Sequence, residues 1–198
     1  FSVPRRENKV GVGYKGFEIE LSDDFSMEEA ATRRDFTWNS MGYNPITNTL
    51  YDYYGGINDL AEGIIRHTSP KFAEDPLRIV RALQLQGRKG HVIAPETYEL
   101  MSSIADRGEF DHLATNELYN AFLKEKMRLV KEYKDHVDAG NKPDTFYEYE
   151  KYEIFTSMIT RERVYGEWDK WATKGKYHSK LFDFLRQSGL GKKLYPEL

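Results

Sequence analysis

The sequence of 198 residues contains no cysteine, which excludes disulfide bonds and thiolate metal sites. It has no apolar run of the ~18 residues that a membrane-spanning helix needs, so we expect no membrane partner. The lack of cysteine fits a reducing compartment, and we expect the protein to be cytoplasmic. A net charge of only −3 does not indicate a strongly basic nucleic-acid binder, although a local basic patch stays compatible with it.

The pattern of apolar residues divides the chain into a mixed first third and a helical remainder. Residues 16–21 alternate apolar and polar side chains, which predicts a strand, and further strands are expected near 38–43 and 49–53. Ser26 followed by Glu29 is typical of a capping box, here opening a helix over 27–34. Helical periodicity then predicts helices over 75–88, 96–107, 116–137, 147–174 and 178–188. The predicted fold class is α+β and mostly α.

Two arginines and an aspartate, Arg33-Arg34-Asp35, stand at the end of the first predicted helix. Guanidinium groups match phosphate oxygens, and a carboxylate accepts hydrogen bonds from sugar hydroxyls. That combination suits a nucleoside triphosphate. Taken alone, however, the cluster is more simply interpreted as a solvated group of ion pairs at a helix end.

A second charged cluster opens the helix predicted over 75–88. Asp75, Arg78 and Arg81 follow one another at helical spacing, with Glu74 directly before them. Carboxylate acceptors and guanidinium donors fixed on a helix can hydrogen-bond the Watson–Crick edge of a base, and so replace a nucleic-acid template. The simpler interpretation of the cluster alone is an acidic helix N-terminus followed by surface arginines.

Paired glycines, Gly55 and Gly56, separate the last predicted strand from a short helix. Glycine adopts backbone angles that other residues avoid, so the pair can act as a hinge or simply form a tight turn. Nearby, Glu18 and Glu20 share one face of the first predicted strand. We expect them to lie on the surface and to bind no metal.

The order of these motifs is more specific than any one of them. Arg-Arg-Asp-Phe-Thr-x-Asn-x-Met, Gly-Gly-x-x-Asp-Leu, Ile-Arg-His and Glu-Asp-Pro-Leu-Arg-x-x-Arg together resemble class II tRNA CCA-adding enzymes and bacterial poly(A) polymerases, of the polymerase-β-like nucleotidyltransferase superfamily. The resemblance covers residues 4–90 and is weaker beyond them. It implies the C-terminal part of a nucleotidyltransferase palm sheet, followed by a helical neck and body.

The resemblance also implies a division of the chain and a role for each matching residue. Residues 1–60 correspond to a partial head, 61–138 to a helical neck with the nucleotide-recognition helix, and 139–198 to a helical body expected to bind RNA. The implied nucleotide-binding residues hold the ribose and phosphates (Arg33, Arg34, Asp35), select CTP or ATP (Glu74, Asp75, Arg78) or add a further contact (Arg81). Gly55 and Gly56 correspond to a hinge between head and neck. Many family members have arginine where this chain has Gln84.

The family uses two divalent cations, expected to be Mg²⁺, to extend the 3′ end of tRNA or another RNA with CTP and ATP. It holds them with a Gly-Gly-x-x-Arg-Asp segment and an Asp-x-Asp pair, and neither motif occurs in this sequence. We therefore assign no catalytic or metal-binding residue within the chain and expect the ligands upstream of Phe1. The chain is accordingly a fragment or a degenerate relative, which alone adds no nucleotides.

Three alternatives stay open from the sequence. CCA addition and poly(A) addition share these motifs, so the sequence does not separate them. A non-catalytic module that keeps only nucleotide or RNA binding is a different class of function. A purely structural helical domain would bind no nucleotide at all. The oligomeric state is also left open.

Overall fold

The chain folds around one buried helix, with the other elements packed on its sides. A computed structural model describes residues 5–9, 17–21, 26–113, 115–140 and 158–195. The first part of the helix predicted over 147–174 lies outside these residues. Within them, the corresponding helix begins at Arg161.

The strands form three separate two-stranded sheets within the described residues. Two of the sheets are antiparallel, and the third is a parallel pair that the sequence pattern did not predict. Asn44 closes the second sheet, since its Oδ1 atom accepts hydrogen bonds from the backbone of Ile46 and Thr47. The strands pair in chain order, and they are β1 (Arg5–Lys9), β2 (Phe17–Leu21), β3 (Gly42–Asn44), β4 (Thr49–Tyr51), β5 (Ile64–Ile65) and β6 (Val92–Ile93).

The helices begin and end close to their predicted positions. The capping box is confirmed, because the Ser26 hydroxyl accepts from the Glu29 amide and the Glu29 carboxylate accepts from the Ser26 amide. The helices of the described residues are α1 (Met27–Thr32), α2 (Gly56–Glu62), α3 (Leu77–Lys89), α4 (Pro95–Asp106), α5 (Asn116–Asp138), α6 (Arg161–Lys174), α7 (Ser179–Gln187) and α8 (Leu190–Leu194).

One sequence prediction was wrong. The strand expected over 38–43 is largely a 3-10 turn at Thr37–Asn39, and β3 begins only at Gly42. Local hydrogen bonds favour the turn, since Asn39 donates to the Asp35 side chain and Ser40 donates to the Thr37 carbonyl. After α7, Gly189 adopts a left-handed conformation with φ of 70°, and α8 follows it, a short helix that the sequence pattern did not predict.

Helix α3 lies at the centre of the core. Seven of its residues are buried, and the core around it runs from Phe36 to Leu194, across the domain boundaries expected from the sequence. Trp168 and Trp171 of α6 pack against this core. Within the described part of the chain, no helix combines the length and apolar character that crossing a membrane requires.

Gly87 permits the close approach of α3 and α6. A methyl group at Gly87 would overlap the Cδ1 and Nε1 atoms of the Trp171 ring. The Gly87 carbonyl also accepts hydrogen bonds from the backbone of Lys176 and Tyr177, each at 2.9 Å. The contact therefore fixes both α6 and the segment that follows it against α3.

We expect Gly87→Ala to lower the free energy of unfolding by about 1–3 kcal/mol, because the indole must shift within a packed interface. Gly166→Ala is the matched control. Gly166 also lies within a helix, but no atom lies within 4 Å of its added methyl group, so the better helix former should stabilise by about 0.5–1 kcal/mol. Denaturant unfolding of both variants tests the prediction, and equal effects of the two substitutions would contradict it.

Candidate nucleotide site

The residues of the first charged cluster follow α1 and enter a short extended segment. Phe36 forms an antiparallel bridge with His67. The Thr37 amide donates to the Arg66 carbonyl at 3.0 Å, and the Thr68 amide donates to the Asp35 carbonyl at 3.1 Å. This pairing fixes the backbone of Asp35 against the segment that leads to α3.

The Asp35 side chain is buried and joins the segment that follows α1 to α3. Its Oδ1 atom accepts hydrogen bonds from the Phe36 amide and the Asn39 side chain, both at 2.9 Å. Its Oδ2 atom lies 2.9 Å from Nη1 of Arg81 on α3. The carboxylate is only 6% exposed, whereas the Arg81 side chain is 44% exposed. Arg81 thus covers Asp35 and also reaches solvent.

Arg78 brings the two charged clusters together. Its Nη2 atom donates to the Arg33 carbonyl at 2.8 Å, and its Nη1 atom donates to the Lys71 carbonyl at 2.7 Å. Burial lowers the pKa of Arg78, while the carboxylates of Asp75 and Asp35 act in the opposite direction. Arg78 therefore stands between the two acids and holds the Arg33 backbone beside α3.

Asp75 connects the start of α3 to α6. Its Oδ1 atom accepts from the Leu77 amide at 3.2 Å, and its Oδ2 atom lies 3.1 Å from Nη2 of Arg163. The ion pair is largely buried, with side-chain exposures of 24% for Arg163 and 17% for Asp75. Sequence reasoning assigned Arg163 no role at the site, because 88 residues separate it from Asp75. No local sequence pattern predicts such a contact.

The remaining predicted residues differ in exposure. Arg34 is exposed, and Glu74 is half-buried beside Arg78. Gln84 is buried, and its Nε2 atom has no hydrogen-bond partner among the described residues. An arginine at this position would therefore have to place its charge in the core of the present structure.

The two glycines anchor α2 to the site. Gly55 has a left-handed conformation with φ of 72°, and a methyl group at Gly56 would overlap the Thr37 carbonyl. The Asp52 carboxylate accepts from the Gly56 amide at 2.7 Å. Buried Asp59 accepts from the Thr37 hydroxyl at 2.7 Å and from Arg66 Nε at 3.1 Å. A hinge motion at these glycines stays a prediction.

Comparison with known proteins covers part of this chain. Residues 4–66 match the family model of the poly A polymerase head domain. The multifunctional CCA protein of Nitrosococcus oceani is 44% identical over 119 residues, which are 60% of this chain and 29% of that protein. The multifunctional CCA protein of Xylella fastidiosa is 42% identical over 122 residues, with the same shares. The chain thus spans less than a third of the length of these relatives.

Solved structures share the fold. The Bacillus stearothermophilus CCA-adding enzyme in complex with CTP has a TM-score of 0.56 and 22% identity, and the match covers 87% of this chain and 31% of that one. The Thermotoga maritima CCA-adding enzyme complexed with tRNA has a TM-score of 0.55 and 23% identity, with coverage of 86% and 31%. The predicted mostly helical fold with small sheets is confirmed.

The bridge that positions Asp35 should be sensitive to acid. The His67 amide donates to Thr97 Oγ1, which lies 2.7 Å from Nδ1 of the same histidine. Burial, and then the nearby Arg66, lower the pKa of His67. The folded state therefore takes up a proton less readily than the unfolded chain. The free energy of unfolding should fall as pH drops through the unfolded histidine pKa of about 6.5.

We expect His67→Gln to reduce this pH dependence without abolishing it, because burial also lowers the pKa of His91 and His112. Thr47→Val, which changes a side chain without a titratable group in an exposed turn, is the control and should leave the dependence unchanged. Denaturant unfolding from about pH 7.5 to about pH 5.5 measures the slope. A His67→Gln variant with the slope of the parent would contradict the assignment.

Proposed function

Because this chain belongs to the family of CCA-adding enzymes and bacterial poly(A) polymerases, we propose that it serves CCA addition to the 3′ ends of tRNA. In this proposal the cleft between the Arg33-Arg34-Asp35 segment and α3 holds the incoming CTP or ATP. The observation that supports it is the hydrogen bond from Arg78 to the Arg33 carbonyl, since it joins a side chain of one charged cluster to the backbone of the other.

The hydrogen-bonding groups of Glu74, Asp75 and Arg78, at the start of α3, suit cytosine and adenine. Both bases present an exocyclic amine that donates, beside a ring nitrogen that accepts, whereas uracil and guanine present a carbonyl beside a ring N–H. A carboxylate of Glu74 or Asp75 can accept from the amine. Arg78 can donate to the ring nitrogen, because its two hydrogen bonds to backbone carbonyls leave further N–H groups.

The sugar and phosphates of the nucleotide would lie at the other side of the cleft. Asp35 offers a carboxylate for a ribose hydroxyl, and Arg33, Arg34 and Arg81 offer guanidinium groups for the phosphates. Arg81 already bridges the two walls through its contact with Asp35. We propose that Gly55 and Gly56 let the head segment adjust to the bound nucleotide.

RNA would contact the helical body through its phosphates. The described residues 158–195 carry nine lysines and arginines against four acids, although the whole chain has a net charge of −3. Such a local excess favours a polyanion. The cations are Arg161, Arg163, Lys170, Lys174, Lys176, Lys180, Arg186, Lys192 and Lys193.

Divalent cations would supply activation of the RNA hydroxyl and stabilisation of the leaving pyrophosphate. Residues 5–9, 17–21, 26–113, 115–140 and 158–195 contain no group of three or more acids and histidines that could hold such an ion. The described residues therefore do not fit the metal site, and no step through it is assigned to them. We propose Mg²⁺ as the cation, with ligands other than these residues.

Nucleotide titration tests the proposed selection of CTP and ATP. We expect the chain to bind CTP and ATP more tightly than UTP and GTP, because only the first two match the donors and acceptors of α3. Glu74→Ala should reduce this preference by about tenfold, the size of one good contact to a base. Glu62→Ala, which removes an exposed carboxylate from α2, is the control. Unaltered base discrimination in Glu74→Ala would contradict the template role.

An addition assay tests the absence of independent activity. We expect the 198-residue chain to add no nucleotide to tRNA in the presence of CTP, ATP and magnesium, because the metal ligands are missing from its motifs. Gel analysis of tRNA length measures the outcome. Extension by CCA or by adenylates would contradict this expectation and would separate CCA addition from poly(A) addition. Binding of none of the four nucleotides would favour a structural helical domain.

A further inference from the structure

The antiparallel bridge beside the cleft sets which side chains share a face. Phe36 pairs with His67, so Asp35 stands opposite Thr68, and Thr37 stands opposite Arg66. Side chains alternate along each segment, and opposite residues point to the same side. Phe36 and His67 both pack against Phe72 in the core. Asp35, Thr37, Arg66 and Thr68 therefore point to the other side.

The hydrogen bonds of this polar face are incomplete at one end. Thr37 and Arg66 both donate to Asp59 and are satisfied by it. Thr68 is only 8% exposed, and its Oγ1 atom has no hydrogen-bond partner among the described residues. Leaving a buried hydroxyl without a partner is unfavourable, so such a group needs an explanation.

The neighbouring Asp35 carboxylate also has unused capacity. Its Oδ2 atom lies 2.9 Å from Arg81 Nη1, but no described donor directs an aligned hydrogen bond to it. The contact with Arg81 is thus an ion pair whose geometry leaves the lone pairs of the oxygen available. Arg81 is half-exposed and can turn toward a phosphate without leaving the cleft.

We propose that Thr68 is a specificity-determining residue that contacts the ribose of the bound nucleotide, an inference that rests on the proposed function. One ribose hydroxyl can donate to Asp35 Oδ2 and at the same time accept from Thr68 Oγ1, because a carboxylate only accepts and a threonine hydroxyl can donate. Thr68 belongs to none of the motifs in the sequence. Thr68 lies beside Asp35 because the two residues pair across the antiparallel bridge.

Titration of the 198-residue chain with CTP, 2′-deoxy-CTP and 3′-deoxy-CTP tests the proposal. The parent should bind one of the deoxy analogues about three- to tenfold more weakly than CTP, and that analogue identifies the hydroxyl. Thr68→Val, which replaces the hydroxyl by a methyl group, should weaken CTP binding to the level of that analogue. It should leave the binding of the analogue unchanged. Thr68→Ser should restore the preference, and Thr47→Val, in an exposed turn, is the control.

A second measurement distinguishes a contact with the ribose from a purely structural role of Thr68. Thr68→Val should raise the midpoint of thermal unfolding of the nucleotide-free chain, because it removes a buried hydroxyl that lacks a partner. A lower midpoint together with an unchanged preference for ribose would overturn the proposal. If the parent prefers ribose and the Thr68→Val variant keeps the same preference, the role of Thr68 is overturned and the proposed function is not. A parent that binds neither CTP nor ATP would overturn the proposed function as well.

Discussion

The partly buried guanidinium of Arg78 makes the hydrogen bonds on which the candidate site depends. Two of its donors go to backbone carbonyls, one at the end of α1 and one in the turn before α3. A charge in this position is tolerated because Asp35 and Asp75 stand on either side of it. The same group therefore fixes the end of α1 against the turn before α3.

The acids around Arg78 are held in place by contacts within the protein. Asp35 is held by Asn39 and faces Arg81, while Asp75 caps α3 and pairs with Arg163. Each carboxylate is thus fixed before any ligand arrives, which lowers the entropy that binding must remove. A site built from pre-positioned charges can read the pattern of donors and acceptors on a base, as a paired strand does.

Local features of the fold could be predicted from the sequence, and distant contacts could not. Ser26 and Glu29 form their capping box, and α3 follows its apolar periodicity, because neighbours in sequence decide both. The family resemblance predicted one site for Asp35, Arg78 and Arg81. Arg81 does lie 2.9 Å from Asp35, while nucleotide binding by these residues stays a prediction. The pairing of Asp75 with Arg163 and the placement of Thr68 depend on how separate segments dock, which no periodicity encodes. The side-chain bonds of Asp35 and Ser40 also overrode the expected strand after Phe36.

The ion pair between Asp75 and Arg163 has an evolutionary consequence. A change at Asp75 that alters nucleotide choice would leave the largely buried guanidinium of α6 without its partner. Such a change would need compensation before it could persist in a lineage. We therefore expect positions 75 and 163 to vary together among homologues, so that the identity of one residue indicates that of the other.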